Sequence, residues 1–346
     1  MKYKKDPIII GIESSCDDSA VSIIRSRKIL SNVIIGQNIH KKYGGIVPEL
    51  AARLHDKNLL KAIDKSIKLA NIKKYQIDAV SFTIGPGLIG SLLIGCSLAK
   101  SLAIGLNIPI ITVDHIQAHT LIHFIENGNI NNSYPNFPFL SLVISGGHTL
   151  IIKVDDYLHM KVLGSTLDNP IGEVFDKIAR KFGFSYPGGV FIEKYSKYGN
   201  FKKFKFPKPL VKGLNFSFSG LKSYIFRFID EKLIKDPNFL KKNLFDLCAS
   251  IQNIIIDILI EKIHKAVIKT KINRITLSGG VSSNERVKKV FLFQAKKNNW
   301  NLFIPNNLYT NDNGAMIAIT GMIKYHKKQF NSLNVTPYSK FKYFIN

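Results

Sequence analysis

The same short pattern opens each half of this chain: an apolar strand, a polar turn and a returning strand. The strands are predicted at 8–13 and 19–24 in the first half, and at 139–144 and 149–154 in the second. Apolar, β-branched runs around a short polar turn are typical of a β-hairpin. The segment 127–138, rich in Asn, Gly, Ser and Pro, precedes the second hairpin and is the best linker candidate. The repeated pattern therefore predicts two similar lobes.

The rest of the chain alternates between apolar strands and helical segments, which is typical of an α/β fold. Further strands are predicted at 28–37, 77–84, 108–113 and 274–278. Helices are predicted at 49–70, 168–182, 221–232, 244–270, 285–298 and 315–325, together with a small-residue helix that ends at Leu106. A chain of 346 residues is long enough for about two domains.

Two histidines stand one helical turn apart. His115 and His119 follow a predicted buried strand and precede apolar residues without a helix breaker. Positions i and i+4 of a helix share a face, so the two imidazoles could hold one metal ion. A zinc protease of the H-E-x-x-H type needs Glu after the first histidine, but Ile116 stands there. Two histidines that only pack or face solvent stay an alternative.

A third metal ligand could come from Asp312, which precedes the helical segment 315–325. Its ordinary role would be that of the helix N-cap. Two histidines and one carboxylate with open positions suit Fe(II) and can accept Zn(II). Sequence spacing does not bring Asp312 to the histidines, so this ligand set depends on the fold.

Four turns rich in glycine or small polar residues follow predicted strands. Gly85–Gly90 matches G-x-G-x-x-G, but Pro86 stiffens it and the possible ribose partner, Asp114, lies too far downstream. We expect it to pack a strand on a helix and not to bind NAD. The other three turns are Ser14–Asp18, Ser145–Gly147 and Gly279–Asn284. Their backbone N–H groups could bind an anion, or they could be ordinary turns.

The chain is strongly basic, with 49 Lys and Arg against 24 Asp and Glu, a net charge of +25. Such a charge favours a polyanionic partner, nucleic acid before membrane. A lysine-rich surface produced by AT-biased coding is the alternative. The segment 201–208 interleaves basic and aromatic residues, which phosphate contact and base stacking both require. It could also be a solvated basic loop.

The sequence predicts a cytoplasmic protein. Its three cysteines are scattered and form no C-x-x-C, which fits a reducing compartment. The N-terminus lacks the pattern of a signal peptide. No stretch is predicted to span a membrane, since Asp257 interrupts the apolar run 254–260.

Ten short motifs, each weak alone, together resemble the TsaD family of tRNA threonylcarbamoyladenosine transferases, once described as glycoproteases. They are Gly11–Asp18, Tyr43–Leu50, Gly85–Leu88, His115–His119, Ser145–Thr149, Gly172–Lys177, Tyr186–Gly189, Phe216–Lys222, Gly279–Asn284 and Thr310–Ile317. The resemblance covers nearly the whole chain, in order. The three anion-binding turns also resemble the nucleotide loops of the actin, sugar-kinase and heat-shock-ATPase superfamily, to which that family belongs.

The resemblance implies an α/β fold of two ribonuclease-H-like lobes, as in actin-like ATPases, with the active site in the cleft between them. An N-terminal lobe of 7–126 would be completed by a C-terminal helix at about 313–346, and 137–312 would form the other lobe. The implied reaction transfers a threonylcarbamoyl group from threonylcarbamoyl-adenylate to N6 of the adenosine 3′ of the anticodon, in tRNAs that read codons beginning with A.

The resemblance also implies roles for individual residues. His115, His119 and Asp312 would be metal ligands. The chemistry of the reaction, and not the resemblance, makes Asp17 the candidate that takes or orients the proton of the adenosine amine, with Glu13 a weaker candidate; both could instead be ordinary residues of the hairpin turn. The adenylate would be bound by Val143, Ile144, Ser145, Gly146, Gly147, Asp176, Gly189 and Asn284. Glu193 is a weaker binding candidate, because it departs from the Asp of some members. Cys16 is expected to be a small buried thiol and not a nucleophile.

Partners are implied as well. A separate synthase would supply the adenylate, and a non-catalytic paralogue of the TsaB type and a small ATPase of the TsaE type would assist transfer to tRNA. Two other functions stay open at this point. One is a small-molecule or sugar kinase of the same superfamily, which the histidine set disfavours, and the other is a metallopeptidase, which Ile116 disfavours.

Overall fold

The computed structural model describes residues 4–341. The strands are β1 Ile8–Glu13, β2 Asp18–Arg25, β3 Lys28–Gly36, β4 Ala79–Gly85, β5 Ile110–Asp114, β6 Phe139–Ile144, β7 Thr149–Val154, β8 Met160–Ser165, β9 Arg274–Ser278 and β10 Asn301–Phe303. The helices are α1 His40–Tyr43, α2 Pro48–Leu69, α3 Ile89–Leu106, α4 His115–Leu121, α5 Ile171–Lys181, α6 Gly189–Ser196, α7 Ser219–Lys235, α8 Phe239–Thr270, α9 Glu285–Asn298 and α10 Gly314–His326. The chain forms two units, one of residues up to Tyr134 and from Pro305 onward, the other of Pro135–Ile304.

The first unit contains a five-stranded sheet in the order β3-β2-β1-β4-β5. β1, β2 and β3 are antiparallel neighbours, whereas β4 and β5 run parallel to β1. Ile10 and Ile12 of β1 join the apolar cluster formed with α2 and α3. Gly11 points to the other face, where it meets α10. Helices on both faces explain why every residue of β1 is buried.

Helix α10 lies directly on this sheet because small residues meet at the contact. A Cβ atom on Gly11 would lie 2.6 Å from the carbonyl oxygen of Gly314, the first residue of α10. Gly314 in turn abuts the backbone of Val21 and Ser22 in β2. Only residues without a side chain leave this space, so the N-terminal end of α10 is held closely against β1 and β2.

The second unit contains a sheet of the same topology, in the order β10-β9-β6-β7-β8. β6, β7 and β8 are antiparallel, and β9 and β10 continue the sheet in parallel with β6. This is the strand arrangement of a ribonuclease-H-like lobe, and its core is filled by α5, α7, α8 and α9. The lobe boundaries expected from the sequence, 7–126, 137–312 and about 313–346, stay predictions. In the structure the chain changes unit at 134–135 and again at 304–305.

Four of these elements were not predicted from the sequence. α1 has only four residues, β8 is a short edge strand with few apolar residues, β10 has three residues, and α6 begins within a Pro-Gly-Gly sequence that favours a turn. By length and composition alone, α3 and α8 are both long and apolar enough to span a membrane. The prediction that no stretch meets this criterion was therefore wrong. Core helices of globular proteins also meet it, and half-buried α8 lies in the core of the second unit.

Candidate metal centre and substrate-binding loops

Helix α4 presents two buried histidines at the carboxyl end of β5. Asp114 is its N-cap: Oδ1 accepts hydrogen bonds from the backbone N–H groups of Ile116 (2.8 Å) and Gln117 (2.9 Å). The other oxygen, Oδ2, accepts a hydrogen bond from the Tyr338 hydroxyl at 2.7 Å. Asp114 therefore has a structural role that leaves no place for a ribose. One turn of helix separates His115 from His119, and both are nearly inaccessible.

Asp312 lies beside both histidines. Its Oδ1 is 3.1 Å from His119 Nε2 and 3.5 Å from His115 Nε2. The alternative role of Asp312 as N-cap of α10 was wrong, because Asn313 caps that helix by accepting from Met316 N at 3.0 Å. The cap thus comes from the next residue in the chain, and the Asp312 carboxylate points to the histidines instead.

The three side chains fit a divalent metal. Their ligand atoms all lie within 4.8 Å of one another, and two imidazoles with one carboxylate are a donor set that divalent transition metals accept. His115 also has the outer partner typical of a metal ligand, since its Nδ1 is 3.1 Å from Glu13 Oε2. His123, one turn farther along, pairs with Asn129 instead.

Glu13 is fully buried behind His115. Oε2 also accepts from the Thr83 hydroxyl at 2.6 Å, and Oε1 accepts from Ser15 N at 2.5 Å. Burial raises the pKa of Glu13, but the charge and hydrogen bond of His115 outweigh it, so the net pKa is lowered. Burial alone would lower the pKa of His115, but the charges of Glu13 and Asp312 outweigh burial and raise this pKa to about 9. An ionised, enclosed carboxylate is better placed to orient His115 than to accept a proton from substrate.

Two further carboxylates feel the charge of Asp312: Asp17, in the turn between β1 and β2, and Asp18, at the start of β2. Burial and the charge of Asp312 raise the pKa of half-buried Asp17. The pKa of Asp18 rises to about 7, first through burial and then through Asp312 and Asp17. Neighbouring carboxylates disfavour one another's ionisation, and a bound cation would reduce this repulsion. Burial also raises the pKa of Cys16, which disfavours a thiolate nucleophile, although the residue is half-buried and not the buried thiol that was expected.

The turn that carries Asp17 is fixed from two helices. The carbonyl oxygen of Cys16 accepts hydrogen bonds from His55 Nε2 of α2 (3.0 Å) and from Ser91 Oγ of α3 (3.2 Å). A Cβ atom on Gly87 would lie 2.5 Å from the carbonyl oxygen of Ser15. The G-x-G-x-x-G sequence therefore allows close packing, but at Gly87 the contact is with the turn between β1 and β2 and not between a strand and a helix, as was predicted. No sequence motif pointed to His55.

In the second unit, the turn after β6 is compact. Ser145 N donates to the carbonyl oxygen of His148 at 2.8 Å, and Ser145 Oγ accepts from His148 N at 3.1 Å. Gly146 and Gly147 are exposed at its tip. The side chains of Val143 and Ile144, in contrast, are wholly buried, so only their backbone can meet a ligand.

The turn after β9 lies at the same edge of the sheet, because β6 and β9 are parallel. A Cβ atom on Gly279 would lie 2.5 Å from the carbonyl oxygen of Ile144. Asn284 is the N-cap of α9 and accepts from the N–H groups of Arg286 and Val287 at 3.0 Å. Glu193 Oε1 accepts from Glu285 N at 2.8 Å, so Glu193 and Asn284 meet at the start of α9.

Asp176 orders the Tyr186–Gly189 turn. Its Oδ1 accepts from Gly188 N at 2.7 Å and Gly189 N at 3.3 Å, and burial raises its pKa. These bonds join α5 to the start of α6. The adenylate-binding residues named from the sequence all lie in the second unit: Val143 and Ile144 at the end of β6, Asp176 within α5, and the others on turns or at helix starts.

The sequence profile of TsaD, tRNA N6-adenosine threonylcarbamoyltransferase, matches residues 28–319. The chain belongs to the TsaD family. It is 50% identical over 335 residues to the tRNA N6-adenosine threonylcarbamoyltransferase of Christiangramia forsetii, covering 97% of this chain and 98% of that protein. A relative of the same name from Porphyromonas gingivalis is 46% identical over 337 residues, covering 97% of this chain and 99% of that protein.

Solved structures support the actin-like fold expected for the family. Full-length HypF in its phosphate- and nucleotide-bound form superposes with a TM-score of 0.62 at 13% identity, over 94% of this chain and 47% of HypF. The activator of 2-hydroxyisocaproyl-CoA dehydratase from Clostridium difficile, with bound ADPNP, superposes with a TM-score of 0.52 at 12% identity, over 94% of this chain and 97% of the activator. Membership of the TsaD family makes the chain a transferase that acts in tRNA modification, and no comparison favours a kinase or a peptidase.

In the basic and aromatic segment 201–208, most of the rings are not available for the base stacking that its composition predicted. The rings of Phe204 and Phe206 pack against Phe228 in the core, so they cannot stack on bases. Only Phe201 is exposed, and the side chains of Lys202 and Arg286 lie 5.8 and 5.0 Å from its ring centre. The aromatic residues of this segment mainly anchor it to the second unit.

Proposed function

We propose that this transferase moves a threonylcarbamoyl group from threonylcarbamoyl-adenylate to N6 of the adenosine 3′ of the anticodon, in tRNAs that read codons beginning with A, and releases AMP. The observation that carries the proposal is the convergence of His115, His119 and Asp312 on one point beside the Asp17 turn. These donors come from distant parts of the sequence, and a peptidase of the H-E-x-x-H type would need a glutamate on α4.

One divalent metal ion per subunit would be held by the two histidine Nε2 atoms and the Asp312 carboxylate. Two histidines and one carboxylate favour Fe(II), and Zn(II) is the alternative. When bound, the metal supplies Lewis-acid stabilisation of negative charge on the donor. Glu13 would orient His115 through Nδ1, so that Nε2 faces the metal.

The adenylate would bind to the second unit. Gly146 and Gly147, exposed at the tip of the Ser145–Gly147 turn, would offer backbone N–H groups to the phosphate, with Ser145, Val143 and Ile144 supporting the turn through their backbone. Asp176 uses Oδ1 for the turn at Gly189, and we assign Oδ2 to the ribose hydroxyls. Asn284, with Glu193 as the weaker member, would contact the nucleoside from the start of α9.

In the transfer step, N6 of adenosine attacks the carbamoyl carbon, the bond from that carbon to the phosphate oxygen breaks, and AMP leaves. The N6 proton must be removed, and we assign this to Asp17. Its half-buried position and raised pKa support the role of a proton acceptor. Glu13 is enclosed by Thr83, Ser15 and His115, which argues for its positioning role.

We further propose a cytoplasmic location, a synthase that supplies the adenylate, a paralogous partner of the TsaB type and an ATPase of the TsaE type. The three cysteines, Cys16, Cys96 and Cys248, are free thiols, as a reducing compartment requires. The net charge of +25 supports tRNA as the acceptor.

The test is nucleoside mass spectrometry of unmodified tRNA incubated with this protein, threonylcarbamoyl-adenylate and the partner proteins. We expect a threonylcarbamoyl adduct on adenosine that requires this chain. His119→Ala and Asp312→Ala should each abolish the adduct and lower the bound metal, measured by elemental analysis after dialysis. His159→Ala is the matched control, because His159 is exposed and pairs only locally with Asp156. Full metal occupancy in both ligand variants would contradict the assignment.

A further inference from the structure

The segment 37–47, which contains the short helix α1 and which we call the 37–47 loop, begins beside the turn that carries Asp17 and leads into a helix that contacts the same turn. It leaves β3 at Gly36, which is the ladder partner of Asp18. It returns as α2, the helix whose His55 holds the carbonyl oxygen of Cys16. Gln37 Nε2 donates to the carbonyl oxygen of Ala51 at 3.2 Å and ties the start of the loop to α2. The loop therefore projects from the neighbourhood of Asp17.

A buried histidine gives this loop a defined shape. His40 is fully buried, and its Nε2 lies 2.8 Å from Gln37 Oε1, while Val47 N donates to its Nδ1 at 3.3 Å. Both ring nitrogens thus have partners within the loop, which sets the orientation of the ring. Gly44 turns the chain in the left-handed region, at φ 66°. The loop is thus held from inside at both ends.

The tip of the loop has no role in the core. Tyr43 is 61% exposed, and Lys41 and Lys42 before it are exposed as well. An aromatic ring beside two lysines, on a rigid support, is suited to stacking on a nucleobase while the ammonium groups contact phosphates. The acceptor of the reaction is an adenosine in a polyanion, so the charges are complementary. A protein partner is the competing occupant, and the test below separates the two.

We propose that the tip of the 37–47 loop binds the anticodon loop of tRNA, with Tyr43 stacking on the base next to the modified adenosine. An adenosine whose N6 is to react must leave its stack, and its neighbour then loses a stacking partner, which the Tyr43 ring replaces. Lys41 and Lys42 contact the phosphates on either side. The placement relative to the reacting base rests on the proposed role of Asp17.

Steady-state kinetics of the full enzyme with its partner proteins test this inference. Tyr43→Ala should raise KM for tRNA about tenfold, which corresponds to ~1.4 kcal/mol, and leave KM for the adenylate unchanged. Tyr43→Phe should restore KM for tRNA, because stacking needs the ring and not the hydroxyl. Tyr75→Ala is the matched control, since Tyr75 is 77% exposed elsewhere on the same unit.

Replacing each lysine by alanine should lower the slope of log KM against log salt by about 0.7–0.9 for each phosphate that the variant no longer binds. An unchanged KM for tRNA in Tyr43→Ala would overturn the inference, and so would a defect confined to assembly with a protein partner. The proposed role of Asp17 fails separately: Asp17→Asn should lose turnover but retain tRNA binding. Full turnover in Asp17→Asn would contradict that role without changing the result expected for Tyr43.

Discussion

His115 shows how much of a metal ligand's behaviour is decided by its neighbours. One ring nitrogen faces Asp312 and the other faces Glu13, which is itself held by Thr83 and Ser15. The outer contacts set the ring orientation before any metal arrives. In the metal-free protein the same carboxylates favour a protonated imidazole, so protons and metal compete for one site.

The carboxylates around this site predict a pH-dependent stability. The pKa of Asp18 is raised from 3.8 to about 7 in the folded protein. A carboxyl group with a raised folded pKa costs nothing below its unfolded pKa, and its cost grows as pH rises towards the folded value. Asp18→Asn should therefore raise the Tm of the metal-free protein at about pH 8 and leave it unchanged at about pH 3, below the unfolded pKa. Equal changes at both pH values would contradict this explanation.

At the scale of elements, the contact of α10 with β1 places Asp312. The helix can approach only because Gly11 and Gly314 lack side chains, and Asp312 lies just before its first turn. The metal centre thus depends on packing at a distance from the ligands themselves.

Gly11→Ala tests that dependence. Its Cβ would meet backbone atoms of Gly314 and Ala318, so we expect a loss of ~1–3 kcal/mol of unfolding free energy together with weaker metal binding, because α10 must shift. Gly105→Ala is the control: nothing lies within 4 Å of that Cβ, and alanine in a helix should stabilise by about 0.5–1 kcal/mol. Urea unfolding measures the free energy of unfolding, and metal titration measures the metal affinity. An unchanged metal affinity in Gly11→Ala would show that the metal centre does not depend on this packing contact.

The C-terminal segment 331–339 adds a second constraint on the metal helix. Asn331 N bonds the carbonyl oxygen of Ile110, Tyr338 N bonds that of Ile84, and the Tyr338 hydroxyl bonds Asp114, the cap of α4. Burial raises the pKa of Tyr338, so its hydroxyl stays a donor.

Tyr338→Phe removes that hydroxyl and leaves a buried carboxylate oxygen with one partner fewer. We expect a loss of ~1–3 kcal/mol of unfolding free energy and a lower metal affinity, measured by titration of the metal-free protein. Tyr198→Phe, at a 74% exposed tyrosine of the second unit, should change neither quantity. Full metal affinity in Tyr338→Phe would mean that the cap holds α4 without the hydroxyl.

For the whole molecule, the dominant property is charge. A protein with a net charge of +25 attracts tRNA over longer distances than any single contact, and salt screens that attraction.

Binding of tRNA should therefore weaken at least tenfold between about 50 and 200 mM salt, which corresponds to roughly two phosphate contacts. Filter binding or fluorescence anisotropy with unmodified tRNA would measure the slope. An affinity independent of salt would assign the lysine excess to coding bias, and the basic loops would then have no part in binding.

Local patterns were sufficient to predict much of the fold. Strands such as β1 and β6 are mostly apolar, and α8 and α9 are long, so neighbouring residues alone define them. The prediction failed for β8 and α6, where a short edge strand and a helix that begins at glycine depend on partners elsewhere in the second unit. The stacking role of Phe204 and Phe206 was wrong for a related reason: composition does not tell which side of a loop faces the core.

The sequence by itself determined the family and the histidine pair, because i and i+4 spacing on a helix is a local property. Only the tertiary structure decided that Asp312 joins them, since a contact across nearly 200 residues depends on how closely α10 packs on the sheet. It also decided that Asn313, and not Asp312, caps α10, and that Glu13 lies enclosed behind His115. Burial and direction of a side chain follow from packing, which no run of neighbouring residues specifies.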